Sequence, residues 1–194
     1  MKPTKTLSTG ISALLAGLLL AGCAGITHEP KVDMSQLAVV DDAAFYNALN
    51  AIGLDESYVA VMADTGFSFA DVDTEYEVIL NLDATSDNNN QYSYTHCVDE
   101  ATAKALFDYY YDNYDDLFDA DDFSGISSHE VNEDSAYILI DGRIDDKATN
   151  TYTPYHDAIY LKGDTVIVTI AGNYDFTVEK EINTFLDALG YPHP

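Results

Sequence analysis

The chain has 194 residues, and its 34 Asp and Glu outnumber its 8 Lys and Arg, which gives a formal net charge of −26. This charge excludes binding to nucleic acid through a basic surface, because Lys and Arg must neutralise the phosphate backbone, and it excludes docking on anionic lipid through a basic patch. The hydrophobic content of 47%, with 15 Tyr and 8 Phe, is enough to build a packed core, so the composition also excludes wholesale disorder.

The chain begins with a short positive segment followed by an apolar one. Lys2 and Lys5 precede residues 11–22, an apolar stretch of 12 residues. A membrane-spanning helix needs roughly 20 residues to cross about 30 Å of hydrocarbon, so this stretch fits the apolar region of a secretory signal instead. It ends in residues 20–23 (LAGC), which resemble the lipobox of bacterial lipoproteins.

The resemblance covers about the first 25 residues and implies a lipid anchor. Cys23 would be acylated with a diacylglycerol that carries chains of the palmitate type, and the peptide would be cut before Cys23. Two or more acyl chains are needed because a single chain, at about 0.8 kcal/mol per buried methylene, anchors only marginally. The resemblance therefore places the protein on the extracytoplasmic face of the cell membrane. The alternative is an ordinary secreted protein with a chance cysteine at the cleavage site.

The chain has two cysteines, and lipidation of one leaves the other without a disulfide partner. Cys97 is then either a buried small hydrophobic residue or a reactive free thiol. Residues 24–36 have no periodicity and include Pro30, which predicts a flexible tether that spans roughly 20 Å. We therefore assign residues 1–22 to the signal peptide, 23–38 to the lipidated cysteine and tether, and 39–194 to a single domain.

In the first half of the domain, apolar spacing predicts one helix and a strand pair. A helix over residues 41–52 has acidic residues at its start and Gly53 as its stop. The next segment is ambiguous, with a strand possible over 58–62. Two alternating runs on either side of a polar loop then predict a hairpin, with strands at 76–82 and 91–98.

The second half begins with the clearest helix, at residues 99–119, which Asp99 can cap and which carries an apolar stripe at helical spacing. The acidic, turn-rich residues 119–135 predict a loop. Strands and a final helix follow, namely strands 136–143, 155–161 and 165–171, with a polar insertion at 144–154, and a helix at 176–189.

The element order is therefore α-ββ-α-βββ-α. Short turns between consecutive strands imply antiparallel pairing, and alternation within the strands implies one solvated face. We predict an α+β fold in two layers: an antiparallel sheet of about five strands, with three helices packed mainly on one face.

The acidic segments are the first candidates for a metal site. Residues 83–90 and 115–122 are rich in the oxygen ligands that calcium prefers, but neither has EF-hand spacing, so a solvated acidic face is the simpler interpretation. His129 and Glu130 begin like the zinc motif H-E-x-x-H, but residue 133 is Glu. We therefore assign no metal ligand and no cofactor.

The sequence shows no convergent catalytic motif. His96 and Cys97 are adjacent on a predicted strand, so their side chains point to opposite faces and cannot form a dyad. With 34 acids, some pair of carboxylates will always lie within range for sugar hydrolysis, which makes that signal uninformative. No G-x-G-x-x-G motif or P-loop occurs. Apart from the lipidation site at Cys23, no catalytic or cofactor-binding residue is assigned.

Tyrosines cluster in two places, and they are candidates for a contact surface. A surface for peptide or glycan is one interpretation, because Tyr offers contact area at low entropy cost; the simpler one is that these residues belong to the core. Tyr109 and Tyr111 fall off the apolar stripe of the long helix and are therefore candidates for exposure. The clusters are Tyr109, Tyr110, Tyr111 and Tyr114 on the long helix, and Tyr152, Tyr155 and Tyr160 around the last hairpin.

These observations favour a lipid-anchored domain that acts by binding. Its acidic surface would attract cationic peptides, basic protein patches or divalent ions. The alternative is an enzyme acting on envelope material, a glycan or peptide hydrolase that uses Asp or Glu. A pocket that holds two carboxylates, one with a raised pKa, would favour that enzyme. A third interpretation is that the acidity serves solubility or salt adaptation.

Overall fold

The computed structural model describes residues 32–62, 72–80, 90–118, 120–171 and 176–194. Three helices and seven strands lie in these ranges. In chain order they are α1 (Asp42–Ala51), β1 (Ala60–Met62), β2 (Val72–Leu80), β3 (Asn90–Cys97), α2 (Glu100–Phe118), β4 (Phe123–Val131), β5 (Ser135–Asp146), β6 (Thr151–Lys162), β7 (Thr165–Ile170) and α3 (Phe176–Leu189).

The seven strands form one antiparallel sheet in the order β1-β2-β3-β7-β6-β5-β4. Helix α2 carries the chain from β3 to the far edge of the sheet. Strands β4 to β7 then return by short turns until β7 pairs with β3, so the two halves of the chain join at the centre. The tight turn from β6 to β7 places Gly163 at a φ of +59°, a conformation that glycine adopts at little cost. The predicted α+β class with three helices and an antiparallel sheet is confirmed.

Local sequence signals account for where the helices begin and end. The Asp41 carboxylate accepts a hydrogen bond from the backbone N–H of Ala44 at 2.8 Å and caps α1, and Asp99 caps α2 through the N–H of Thr102 at 2.8 Å. Gly53 follows α1 with a φ of +84°. The predicted helices therefore match the observed ones to within one residue at each end.

The prediction of about five strands was too low because two strands carry weak signals. Strand β1 lies in the segment that the sequence left ambiguous, and β4 occupies most of the predicted loop at 119–135. The predicted insertion at 144–154 is mostly strand as well, since β5 extends to Asp146 and β6 begins at Thr151. Pairing with β5 over nine positions holds β4 in place, although Ser and Gly in β4 favour strands only weakly.

Two hydrophobic cores lie on opposite faces of the sheet. The first, the α1/α3 core, joins α1 and α3 to alternate strand residues such as Tyr137 and Leu139. The second, the α2 core, joins α2 to the intervening residues, among them Ile138 and Ile140. The expectation of one solvated face is therefore wrong for the central strands, whose burial on both faces explains their nearly continuous apolar runs.

Residues 32–38 belong to the folded part of the protein. Val32, Met34 and Leu37 are buried in the α1/α3 core. A short 3-10 turn over Met34–Gln36 follows Asp33, whose carboxylate accepts from the Ser35 N–H at 3.1 Å. The predicted tether thus covered residues that the structure packs into the core. The sequence predicts a tether there because residues 24–36 show no periodicity and include Pro30.

None of the helices described by the structure combines the length and the apolar character that a bilayer span requires.

Candidate functional site

A cleft of about 340 Å³ opens where β4, β5 and β6 approach the β5–β6 turn. Its side-chain lining lies on the α1/α3 side of the sheet, because Asp141 and Arg143 continue the alternation of Tyr137 and Leu139. The described residues that line the cleft are Ser124, Asp141, Gly142, Arg143, Tyr152 and Pro154. The volume is within the range of small-ligand sites.

A pair of facing glycines brings β4 and β5 together beside this cleft. Gly125 and Gly142 are register partners. A Cβ on Gly142 would lie 2.6 Å from the carbonyl oxygen of Ser124 and 2.8 Å from Cζ of Phe123. The two strands can therefore pair at this point only because neither residue has a side chain.

The carboxylate of Asp141 is positioned by a buried histidine. Nδ1 of His156 lies 3.3 Å from Oδ1 of Asp141, and Nε2 lies 2.9 Å from Oδ1 of Asn183 on α3. A carboxylate only accepts hydrogen bonds, so Nδ1–H must be the donor to Asp141. His156 is 1% exposed. It therefore orients Asp141 from inside the protein.

The protonation of His156 follows from opposing effects. Burial lowers its pKa, but hydrogen bonds to Asp141 and Asn183 and the negative charges of Asp141 and Glu179 outweigh the burial and raise the pKa above its usual value. An imidazolium donates from both ring nitrogens, which matches the two acceptor oxygens beside it. The charge of Asp141 thus has a partner within the fold.

Arg143 supplies the positive group of the cleft and is the one arginine in the sequence. Its Nε lies 3.0 Å from Oδ1 of Asp145, and its Cζ lies 5.5 Å from the centroid of the Tyr152 ring. The ion pair and the cation–π contact both restrict the guanidinium. Arg143 is nevertheless 53% exposed and Tyr152 60% exposed, so both remain accessible to a ligand.

The cleft therefore presents two opposite charges side by side. Asp141 and Arg143 are two residues apart on one face of β5, about 6.7 Å apart along the strand. Each is oriented by a different partner, His156 for the carboxylate and Asp145 for the guanidinium. This arrangement suits a ligand with donor groups at one end and acceptor groups at the other.

A buried carboxylate, that of Asp157, lies on the opposite face of the sheet. Tyr114 donates to Oδ2 of Asp157 at 2.8 Å, and the N–H of Ala171 donates to Oδ1 at 2.9 Å. Burial raises the pKa of Asp157 to about 6, although these hydrogen bonds act to lower it. Asp157 follows His156 on β6 and so points away from the cleft. The structure therefore does not bring Asp157 together with Asp141, as the hydrolase hypothesis would require.

Of the two cysteines in the sequence, the structure describes only Cys97. Cys23, the predicted lipidation site, lies outside the described residues. Cys97 is 1% exposed, and burial, with the acidic neighbours Asp164 and Asp99, raises its pKa to about 12. Because the thiolate is the reactive form, Cys97 acts as a small hydrophobic residue. His96, by contrast, is partly exposed, with Nε2 3.3 Å from Asp164.

The predicted acidic metal segments are only partly described. Residues 83–89 lie outside the described ranges, and Asn90 is buried at the start of β3, while Asp115, Asp121 and Asp122 are exposed. Across the described part of the chain, no group of three or more His, Cys, Asp or Glu side chains has an arrangement that could hold a metal ion. His129 instead contacts Tyr111, with 3.2 Å between Nε2 and the hydroxyl oxygen.

The tyrosine clusters divide between core and surface. Tyr110 and Tyr114 pack against the α2 core, and Tyr160 is fully buried in the α1/α3 core. Tyr109 is exposed, whereas Tyr111 is partly buried. Tyr152 reaches the cleft. Sequence reasoning missed Asp141 and Arg143; a single arginine in so acidic a chain was the signal that could have pointed to the site.

Comparisons of the chain with protein-family models, with curated proteins and with solved structures find no match. The functional proposal therefore depends on the leader sequence and on the geometry of the cleft.

Proposed function

We propose that this protein is a lipid-anchored binding domain on the extracytoplasmic face of the cell membrane, with the cleft of β4, β5 and β6 as its ligand site. The leader and Cys23 support the anchor and the location. The observation that carries the binding function is the oriented pair of Asp141 and Arg143, since each side chain is held by a separate partner before any ligand arrives.

The arrangement around Asp141 favours binding over proton transfer. Both ring nitrogens of His156 are engaged, and its ring is buried. It can orient the carboxylate, but it cannot exchange a proton with a molecule in the cleft without leaving its place. Ser124 also lines the cleft, where its hydroxyl can donate to or accept from a ligand.

The net charge of the molecule selects among ligands. The electric field of a chain with a formal net charge of −26 raises the local concentration of cationic groups and repels anions. Cationic peptides, basic protein patches and divalent ions therefore remain the proposed partners of the acidic surface outside the cleft. The same field repels an anionic leaflet, although this repulsion fades beyond about 8 Å at physiological salt, so the lipid anchor must hold the protein at the membrane.

The test of this function is whether binding depends on the cleft. Mature lipidated protein in detergent micelles is titrated with fractionated envelope extract, and saturable binding is followed by NMR chemical-shift changes. We expect R143Q to weaken the binding at least tenfold. The matched control is K147Q, which removes a positive charge from the nearby β5–β6 turn, outside the described lining of the cleft. Equal weakening by both variants, or no binding by the wild type, would contradict the proposal.

A further inference from the structure

We infer that the cleft binds a small zwitterion of the α-amino acid class, with the ligand carboxylate on Arg143 and the ligand ammonium on Asp141. This inference rests on the proposed function of the cleft as a binding site and names the ligand it takes.

The charges in and around the cleft compensate one another. Asp141 is paired with His156, and Arg143 is paired with Asp145. A ligand with a net charge would compete for one member of an ion pair and leave the other member without a compensating charge. A net anion would in addition be repelled by the rest of the molecule. A ligand that is neutral overall but carries both charges avoids these costs.

The remaining hydrogen-bonding capacity matches the two ends of such a ligand. The ion pair with Asp145 uses Nε of Arg143, which leaves the two terminal nitrogens to hold a carboxylate in a bidentate fashion. The contact with His156 uses Oδ1 of Asp141, which leaves Oδ2 to accept from an ammonium group. Hydrogen bonds between charged groups are about twice as strong as neutral ones, so a zwitterion gains more here than a sugar hydroxyl pair would.

The apolar part of the lining indicates which ligand side chains the cleft can accommodate. Tyr152 and Pro154 stand beside the two charges and can cover an apolar or aliphatic group. The volume of about 340 Å³ holds a single amino acid with its side chain. The acidic field disfavours acidic side chains, so alanine is expected to bind more tightly than glutamate.

The experiment titrates the mature lipidated protein with alanine, N-acetylalanine, alaninamide and N-acetylglucosamine, followed by chemical-shift changes at cleft residues. We expect alanine to bind at least tenfold more tightly than either blocked form. In R143Q the advantage of alanine over alaninamide should disappear, and in D141N the advantage over N-acetylalanine should disappear. K147Q should behave like the wild type.

The possible failures are distinguishable. If blocked and unblocked forms bind equally, or if only the saccharide binds, the zwitterion inference is wrong. If no probe binds while envelope extract still binds in a manner that depends on Arg143, the inference fails but the cleft remains a binding site. If nothing binds in that manner, both proposals fail. Because D141N removes the negative charge beside a buried histidine, R143Q alone decides the outcome should D141N not fold.

Discussion

The buried carboxylate of Asp157 makes a contribution to stability that is lost as the pH rises through the weakly acidic range. Burial raises the pKa of Asp157 to about 6, while an exposed aspartate titrates near 3.8. The folded state therefore binds a proton that the unfolded state has released. The stability that this proton contributes is complete below about pH 4 and is lost as the pH rises through 6.

The variant D157N isolates this effect, because an amide does not titrate. Its oxygen can keep the hydrogen bond from the Ala171 N–H, and its NH2 group can donate to the hydroxyl oxygen of Tyr114. Between pH 4 and 7 we expect the wild type to lose about 2 kcal/mol of unfolding free energy relative to D157N. The measurement is urea unfolding at several pH values, and the difference between the two proteins removes the contributions of all other acids. A constant difference across that range would show that Asp157 titrates normally.

At the scale of elements, the segment just before α1 is packed into the core, where the sequence predicts a flexible tether. Leu37 is 4% exposed within the α1/α3 core, whereas Val39 two residues later is 59% exposed. We expect L37A to lower the unfolding free energy by about 2–5 kcal/mol, and V39A to change it by less than about 0.5 kcal/mol. Denaturant unfolding of the two variants checks this. If both variants change the unfolding free energy equally and by little, the segment does not stabilise the core and is the flexible tether that the sequence predicts.

The contact between β4 and β5 depends on the absence of side chains. In G142A the new Cβ would meet the Ser124 carbonyl oxygen at 2.6 Å and Gly125 Cα at 2.8 Å, and a backbone atom cannot move aside as a flexible side chain can. We expect a loss of about 1–3 kcal/mol in unfolding free energy. Thermal unfolding measures it, with T153A on the exposed part of β6 as the control. A G142A protein as stable as T153A would show that the strands can separate at this point.

At the scale of the whole molecule, the proposed lipid anchor and the net negative charge have opposite effects on membrane binding. A strongly acidic domain gains nothing from an anionic membrane surface, so under our proposal retention at the membrane depends on acyl chains at Cys23. For bacteria that express the full chain, we expect C23A to abolish incorporation of labelled palmitate and to leave the protein unprocessed or released from the membrane. Fractionation with lipid labelling measures both. Labelled lipid still attached to C23A would refute the assignment of the anchor.

The helices and the α+β class could be predicted from the sequence because their signals are local. Asp41 and Asp99 cap helices within three residues of the groups they bond, and an apolar stripe on α2 repeats every three or four residues. Strand β4 has no comparable signal, since it is held by its pairing with β5 more than by its own side chains.

The candidate cleft could not be read from the sequence, because it is made by residues whose proximity depends on sheet register. Ser124, Asp141 and Tyr152 lie on three strands, and Asn183 reaches the site from α3. The same register decides that His156 supports the cleft while its neighbour Asp157 points into the α2 core. Composition and short-range spacing determined the fold class and the helices of this protein. Pairing between distant segments determined which few of its many acidic side chains lie at the candidate cleft.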